Sequence, residues 1–164
     1  SPLRGLMVIG ISCVVMAVLL AAAELRARHT RDMSEMRLRD ALIVGVAQIG
    51  ALIPGVSRSG STLTAALFLN FKREEAARFS FLLGLPAIAL AGLKELWVLL
   101  RADLPAHTWP HLLFGLVVAS VSAFFAIWGL MKFLERFSTW PFVIYRALLG
   151  VFLIVAVSTG LLAG

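Results

Sequence analysis

Residues 52–67 read "LIPGVSRSGSTLTAAL". The stretch begins and ends as a hydrophobic helix. Between those ends it breaks at Pro54-Gly55 and then sets Ser57, Arg58, Ser59, Ser61 and Thr62 almost side by side. The wider segment is Ala41 to Phe71. A helix from Ala41 to Ile53 would be about 20 Å long at 1.5 Å per residue, short of the roughly 30 Å hydrocarbon core of a bilayer. Pro54 cannot donate a backbone hydrogen bond and disfavours helix in the residue before it, and Gly55 permits a sharp turn. The second half, Arg58 to Leu69, is also too short to cross alone. Two readings follow: one kinked span, or a re-entrant hairpin that dips to mid-membrane and returns.

The rest of the chain supplies the setting. It has 164 residues, 60% hydrophobic and 15% charged, with mean hydropathy +0.95; a soluble domain is roughly 45–50% apolar and about 25% charged. The apolar residues fall in long runs: Leu6–Leu25, Phe79–Leu100, His111–Met131 and Pro141–Leu162. These predict an all-α polytopic membrane protein, transmembrane helices plus one re-entrant helix–loop–helix over about 41–71, within a single membrane domain 1–164. The short alternating segments of a transmembrane barrel are absent. Trp97, Trp109, Trp128 and Trp140 fall at or near span ends, as interfacial aromatics do.

Charge decides between the two readings of the broken segment. The net charge of +6 is carried in the loops, with no basic stripe interleaved with aromatics, which argues against nucleic acid as a partner and for the positive-inside rule. If the segment re-enters and returns, "RARHTRDMSEMRLRD" (26–40), "KREEAAR" (72–78) and "KFLERFSTW" (132–140) share one face and hold most of the Lys and Arg. The other face keeps Arg4 and Arg101, and both chain ends lie outside. If the segment spans, the two most basic loops fall on opposite faces. The hairpin is the expected form.

Irregular backbone at membrane depth is tolerated only where protein or a watery cavity covers it, and an ionisable residue there is a functional candidate. Arg58 opens the second half-helix, where free N–H groups and the positive end of the dipole point. Ser57 suits the N-cap. Arg58 and Thr62 share one helix face, as do Ser57 and Ser61. Guanidinium, hydroxyls and N–H groups together suit a tetrahedral oxyanion, and phosphate matches the forked donors of arginine. The competing account is a Gly/Ser-rich helix–helix contact; it explains Gly60, Ser61 and Ala65 better than Pro-Gly-x-Ser-Arg-Ser.

The stretch "PGVSRSGST", preceded by "VGVAQIGALI", followed by "REEAARFSFLLGLPA" and later by "PFVIYRALLG", resembles the undecaprenyl-diphosphate phosphatase family, the bacitracin-resistance phosphatases. Another membrane phosphatase class needs histidine six residues after its Ser-Arg; Thr64 stands there. The resemblance implies half of an inverted-repeat fold whose two re-entrant segments meet at one mid-membrane site. It also implies an enzyme that hydrolyses undecaprenyl diphosphate to undecaprenyl phosphate plus phosphate in the bacterial inner membrane, recycling the carrier lipid of cell-wall synthesis. Carried over, Arg58, Ser57, Ser59 and Thr62 are the catalytic set, and Pro54, Gly55, Gly60, Ser61 and Gln48 the substrate-binding set. A divalent cation, Mg²⁺ or Ca²⁺, is implied as cofactor. The family's glutamate-rich half-site with its nearby histidine is not found here, and Ser1 is not Met. The expectation is a carboxyl-terminal repeat with no metal ligands of its own, inactive alone. Its partners would be a polyprenyl diphosphate lipid, the bilayer, the missing amino-terminal repeat and, as a candidate, a second copy. The alternative function is a transporter or flippase for an anionic solute or lipid, which builds broken-helix sites in the same way.

The remaining polar residues have plainer expectations. Arg146, Lys94 and Glu95 lie within snorkelling reach of span ends, with a headgroup role as the second reading for Arg146. His107 and His111 have a metal-compatible spacing, but Pro110 disfavours a regular helix between them. His29 is expected to be solvated, and Glu24, Glu74 and Glu75 to be surface charges. Cys13, the one cysteine, excludes an intrachain disulfide and suits apolar packing.

Overall fold

The structure, a computed structural model, describes residues 2–102 and 108–160. Six α-helices follow in order: α1 (Pro2–Arg26), α2 (Leu38–Ala47), α3 (Arg58–Phe68), α4 (Arg73–Arg101), α5 (Thr108–Arg136) and α6 (Trp140–Ser158). A 3₁₀ segment, Gln48–Leu52, continues α2 toward the break. Helices α1, α4, α5 and α6 are each long and apolar enough to cross a membrane. The chain is an all-α polytopic membrane protein.

Helices begin earlier and run further into the basic clusters than the hydropathy suggests. Residues 73–78, expected as loop, form the first turns of α4, where Glu74 and Glu75 face the positive end of its dipole. Pro110 falls in the first turn of α5, where no backbone donor is lost. His107, the other half of the histidine pair, lies outside the described residues. Pro86 sits inside α4.

The framework is the pair α1–α6. They cross where a Cβ on Gly150 would lie 2.7 Å from the carbonyl oxygen of Gly10, and one on Gly10 would lie 3.1 Å from that of Gly150. Only two glycines let the backbones come so close. α3 packs between α1 and α4, and α2 packs on α3. Nine buried residues, among them Leu20, Val44, Leu67, Phe71 and Val143, join these helices into one core.

Helices α2 and α3 have 10 and 11 residues, so each is about 15–17 Å long. Their outer ends are tied together. α3 closes in a Schellman motif: Asn70 takes φ +67°, its N–H donates to Leu67 O, and Phe71 N donates to Ala66 O. The N–H groups of Thr30 and Arg31 donate to Asn70 O, Lys72 N donates to Arg31 O, and Arg28 N donates to Asn70 Oδ1. Arg31 then staples the root: Nη2 to Asp40 Oδ2 at 2.6 Å, Nη1 to Leu69 O at 3.0 Å, and its guanidinium lies 4.4 Å over the Phe71 ring.

The same end of the molecule gathers α1, α4 and α6. Glu24 Oε1 accepts from Arg73 Nε at 2.8 Å, and Glu24 Oε2 accepts from Thr139 Oγ1 at 2.9 Å. Glu24 is therefore a buried tie, not the surface charge expected of it. His29 is drawn in beside it, with Nε2 3.9 Å from Glu24 Oε2, rather than left in solvent. The three basic clusters thus share one end of the bundle. With Cys13 replaced by alanine, single cysteines at Ser34 and Phe137 should react with a membrane-impermeant maleimide from one face, and one at Ala102 from the other. Reaction of Ser34 and Phe137 positions from opposite faces would contradict this arrangement.

Asp40 yields a second test. The hydrogen bond from Arg31 holds its carboxyl below the usual carboxylate range. A folded pKa below the unfolded value of about 3.9 means stability that is present above that value and lost as pH falls through the folded one. Thermal unfolding of detergent-solubilised protein should show this acid-side loss, and Asp40→Asn should lower stability at neutral pH and flatten the acid limb.

Candidate functional site at the helix break

The break lies deep in the bundle. Gly55 has φ +91°, and a Cβ there would lie 2.7 Å from Ile9 Cα; only glycine both adopts the turn and clears α1. Ile9 and Ser12, which Gly55 touches, are about 21–26 Å along α1 from Arg26, inside the apolar span Gly5–Arg26 and nearer its amino-terminal end than its middle.

Sequence logic shapes the turn that follows. Ser57 takes an extended N-cap conformation, and its Oγ accepts from Gly60 N at 3.2 Å. Ser59 Oγ stands 3.2 Å from Ser57 Oγ. Ser61 Oγ and Thr62 Oγ1 both donate to Arg58 O, at 2.9 and 3.0 Å, and both residues are buried. Their hydroxyl protons brace the first turn of α3, which leaves Ser57 and Ser59 as the hydroxyls on the cavity side. Pro54 is exposed at the tip. Gln48 is half-buried in the 3₁₀ segment, and its Oε1 is buried without a hydrogen-bond partner; it makes no hydrogen bond to the Ser57–Thr62 turn among the described residues.

Arg58 Nη1 donates to Gly84 O at 3.2 Å, and a Cβ on Gly84 would lie 2.5 Å from Arg58 Nη2. The glycine in "LLGLPA" is the slot that seats the guanidinium against α4. Arg58 does not itself line the cavity beside the turn.

The second arginine is Arg146, for which the sequence put snorkelling first and a headgroup role second. Arg146 is not turned back to the interface, as snorkelling would have it. Its Nη2 donates to Gly55 O at 3.0 Å, and a Cβ on Gly60 would lie 2.6 Å from its Nη1. The freed carbonyl of a broken helix is the partner that pulls it inward. Among the described residues neither Arg58 nor Arg146 is paired with a carboxylate; the ion pairs run through Glu24, Asp32 and Asp40 at the basic end. Arg146, two hydroxyls and the open first-turn N–H groups of α3 therefore bear on residues 55–60, with the Arg58 guanidinium turned beside them toward Gly84 of α4. Among the described residues no three His, Cys, Asp or Glu side chains converge as a metal-binding set.

The sequence model of one protein family, described as "Bacitracin resistance protein BacA", matches residues 1–152. An "Undecaprenyl-diphosphatase 2" of Mesorhizobium japonicum is 73% identical over 163 residues, 99% of this chain and 62% of that protein. An "Undecaprenyl-diphosphatase" of Synechococcus elongatus is 50% identical over 99% of this chain and 56% of its own length, and one of a Nostoc species is 46% identical over 99% and 51%. The chain spans between about half and three fifths of the length of these curated relatives.

The Arg146–Gly55 bond predicts a local effect. A charged hydrogen bond contributes about 1.5–3 kcal/mol, so Arg146→Ala should speed amide exchange across residues 53–57 by roughly tenfold or more. The amides of α6 should keep their protection. Unchanged exchange at the break would show that the bond does not hold it.

Proposed function

The chain belongs to the bacitracin resistance protein BacA family, and on that premise we propose that it is the anion-clamping part of an undecaprenyl-diphosphate phosphatase. The reaction is hydrolysis of undecaprenyl diphosphate to undecaprenyl phosphate plus phosphate, in the plasma membrane of a bacterium, which returns the carrier lipid to cell-wall synthesis. One observation carries the reading: among the described residues two guanidinium groups without carboxylate partners flank a half-helix N-terminus among membrane-crossing helices, Arg146 on Gly55 O and Arg58 on Gly84 O. Charge so placed needs an anion to balance it, and a diphosphate on a lipid reaches that depth.

In this reading Arg58, Arg146 and the N–H groups of Arg58 and Ser59 bind the diphosphate, and Ser57 and Ser59 orient it. Stabilisation of charge on the transferring phosphoryl group is the main catalytic lever in such reactions. Braced by Ser61, Thr62 and the slot at Gly84, Arg58 is held before substrate arrives, so little reorganisation accompanies the chemistry. A divalent cation belongs to the proposal as well, with carboxylate ligands contributed from the rest of the protein; the described residues do not make a set for it, and no step here runs through it. The exposed apolar face of Leu42, Val46, Ile49 and Leu52 is assigned to the amino-terminal repeat, with a second copy of the chain as the other occupant.

The test is phosphate release from a polyprenyl diphosphate at matched membrane expression of the full-length protein. Arg58→Ala should lower the rate on the order of 100-fold. Arg58→Lys keeps the charge but loses the planar fork and should not restore it. Lys94→Ala should stay near wild type. Full activity in Arg58→Ala would return residues 52–67 to a helix-packing role. The 164-residue chain by itself, supplied with Mg²⁺ or Ca²⁺, should release no phosphate above a heat-killed control.

A further inference from the structure

A cavity of about 390 Å³ runs alongside the break, between α4, α5 and α6 and backed by α1. Its polarity is one-ended. Ser57, Ser59 and Arg146 form one end; Leu20, Leu63, Phe81, Leu130, Phe142 and Leu149 form the walls. Ser80 also lines it, but its hydroxyl donates to Ala76 O at 2.8 Å and offers the cavity no donor. From the Ser57–Gly60 turn the walls lead toward the basic end of the bundle, reaching Phe142 within the first turn of α6.

The cavity is open at the side. α5 packs along α4, and it meets α6 through Phe133 and Phe142, whose ring centroids are 5.9 Å apart. Leu130 and Leu149 are half-buried and Tyr145 at the rim is exposed, so among the described residues the gap between α5 and α6 is uncovered.

We propose that this groove seats the first isoprene units of the lipid diphosphate, which enters sideways between α5 and α6 and threads its tail toward the basic end. The inference rests on the diphosphate reading of the break and extends it to the hydrocarbon. Three features fix the occupant as an anionic lipid. The groove is continuous with the anion-binding turn, sharing Ser57, Ser59 and Arg146. Its charge is positive at that end alone. Apart from the Tyr145 hydroxyl at the rim, its remaining length presents apolar wall, as expected of a site that holds hydrocarbon by area and the head by a few polar groups. A protein segment from the rest of the chain is the other occupant the test must recognise.

The experiment uses the full-length protein in nanodiscs and a farnesyl diphosphate carrying a diazirine on its tail. Irradiation followed by peptide mapping should place adducts on Leu130, Phe142 or Leu149, removed by unlabelled farnesyl diphosphate. Absence of competed adducts from these positions, wherever else label falls, overturns the proposal and leaves the groove to protein. In parallel, Leu130→Trp fills the groove. It should lower the preference for farnesyl over isopentenyl diphosphate, as the ratio of kcat/KM, by roughly tenfold; equal loss on both substrates overturns it. If the unsubstituted protein hydrolyses neither, the phosphatase reading fails while the adduct map still judges the groove.

Discussion

A helix interrupted inside hydrocarbon leaves backbone groups that no water can satisfy, and the whole bundle is arranged around that debt. The carbonyl of Gly55 is the critical group. It is met by Arg146 from α6, with the thiol of Cys13 from α1 3.8 Å away. Both partners are available because α1 and α6 cross at Gly10 and Gly150 with their backbones in contact. A larger residue at either glycine would move α6 outward and take the guanidinium with it. The turn itself then needs a residue with no side chain, since Gly55 lies against Ile9.

The depth of the break is set from the other end. Glu24 binds Arg73 and Thr139, fixing the starts of α4 and α6 to the end of α1. Arg31 and Asn70 bind the root of the α2–α3 hairpin to the same level. Removing Arg73 would strand the buried Glu24 carboxylate, so this tie holds the register of α4 against α1. With the root fixed, the length of α3 determines how far below the basic face Ser57 and Arg58 lie. The alignment of Arg58 with Gly84 of α4 follows from that length, since α3 ends and α4 starts within a few residues of Phe71, and Arg58 and Gly84 are each 13 residues from it.

Local pattern carried the helical class, the break, the cap and the first arginine, because each depends on residues adjacent in sequence. Ser57 reads as an N-cap from its neighbours, and it is one. The helix-rich ends were less legible: "KREEAAR" looks like loop by hydropathy, yet its acids suit a first helical turn and Phe71 has already ended the previous helix. What depended on distant pairing was not legible. Arg146 to Gly55 spans 91 residues and Glu24 to Thr139 spans 115, and nothing in either local sequence separates an arginine that snorkels from one that turns inward. A signal did exist: Arg146 and Glu24 are polar residues in apolar runs, and each needs a partner that only the fold supplies.

The choice of arginine at both positions follows from what the site must do without a ligand as well as with one. A lone ammonium at this depth would readily shift its pKa and lose its charge, whereas guanidinium stays protonated. Each guanidinium can rest one donor on a backbone carbonyl, Gly84 O or Gly55 O, and keep the others for an anion. The resting bonds orient the forks without neutralising them, so the positive potential is maintained by the fold alone. A carboxylate in either place would have satisfied the arginines and closed the site. Among the described residues the acids in ion pairs, Glu24, Asp32 and Asp40, lie instead at the basic end, which keeps the break cationic.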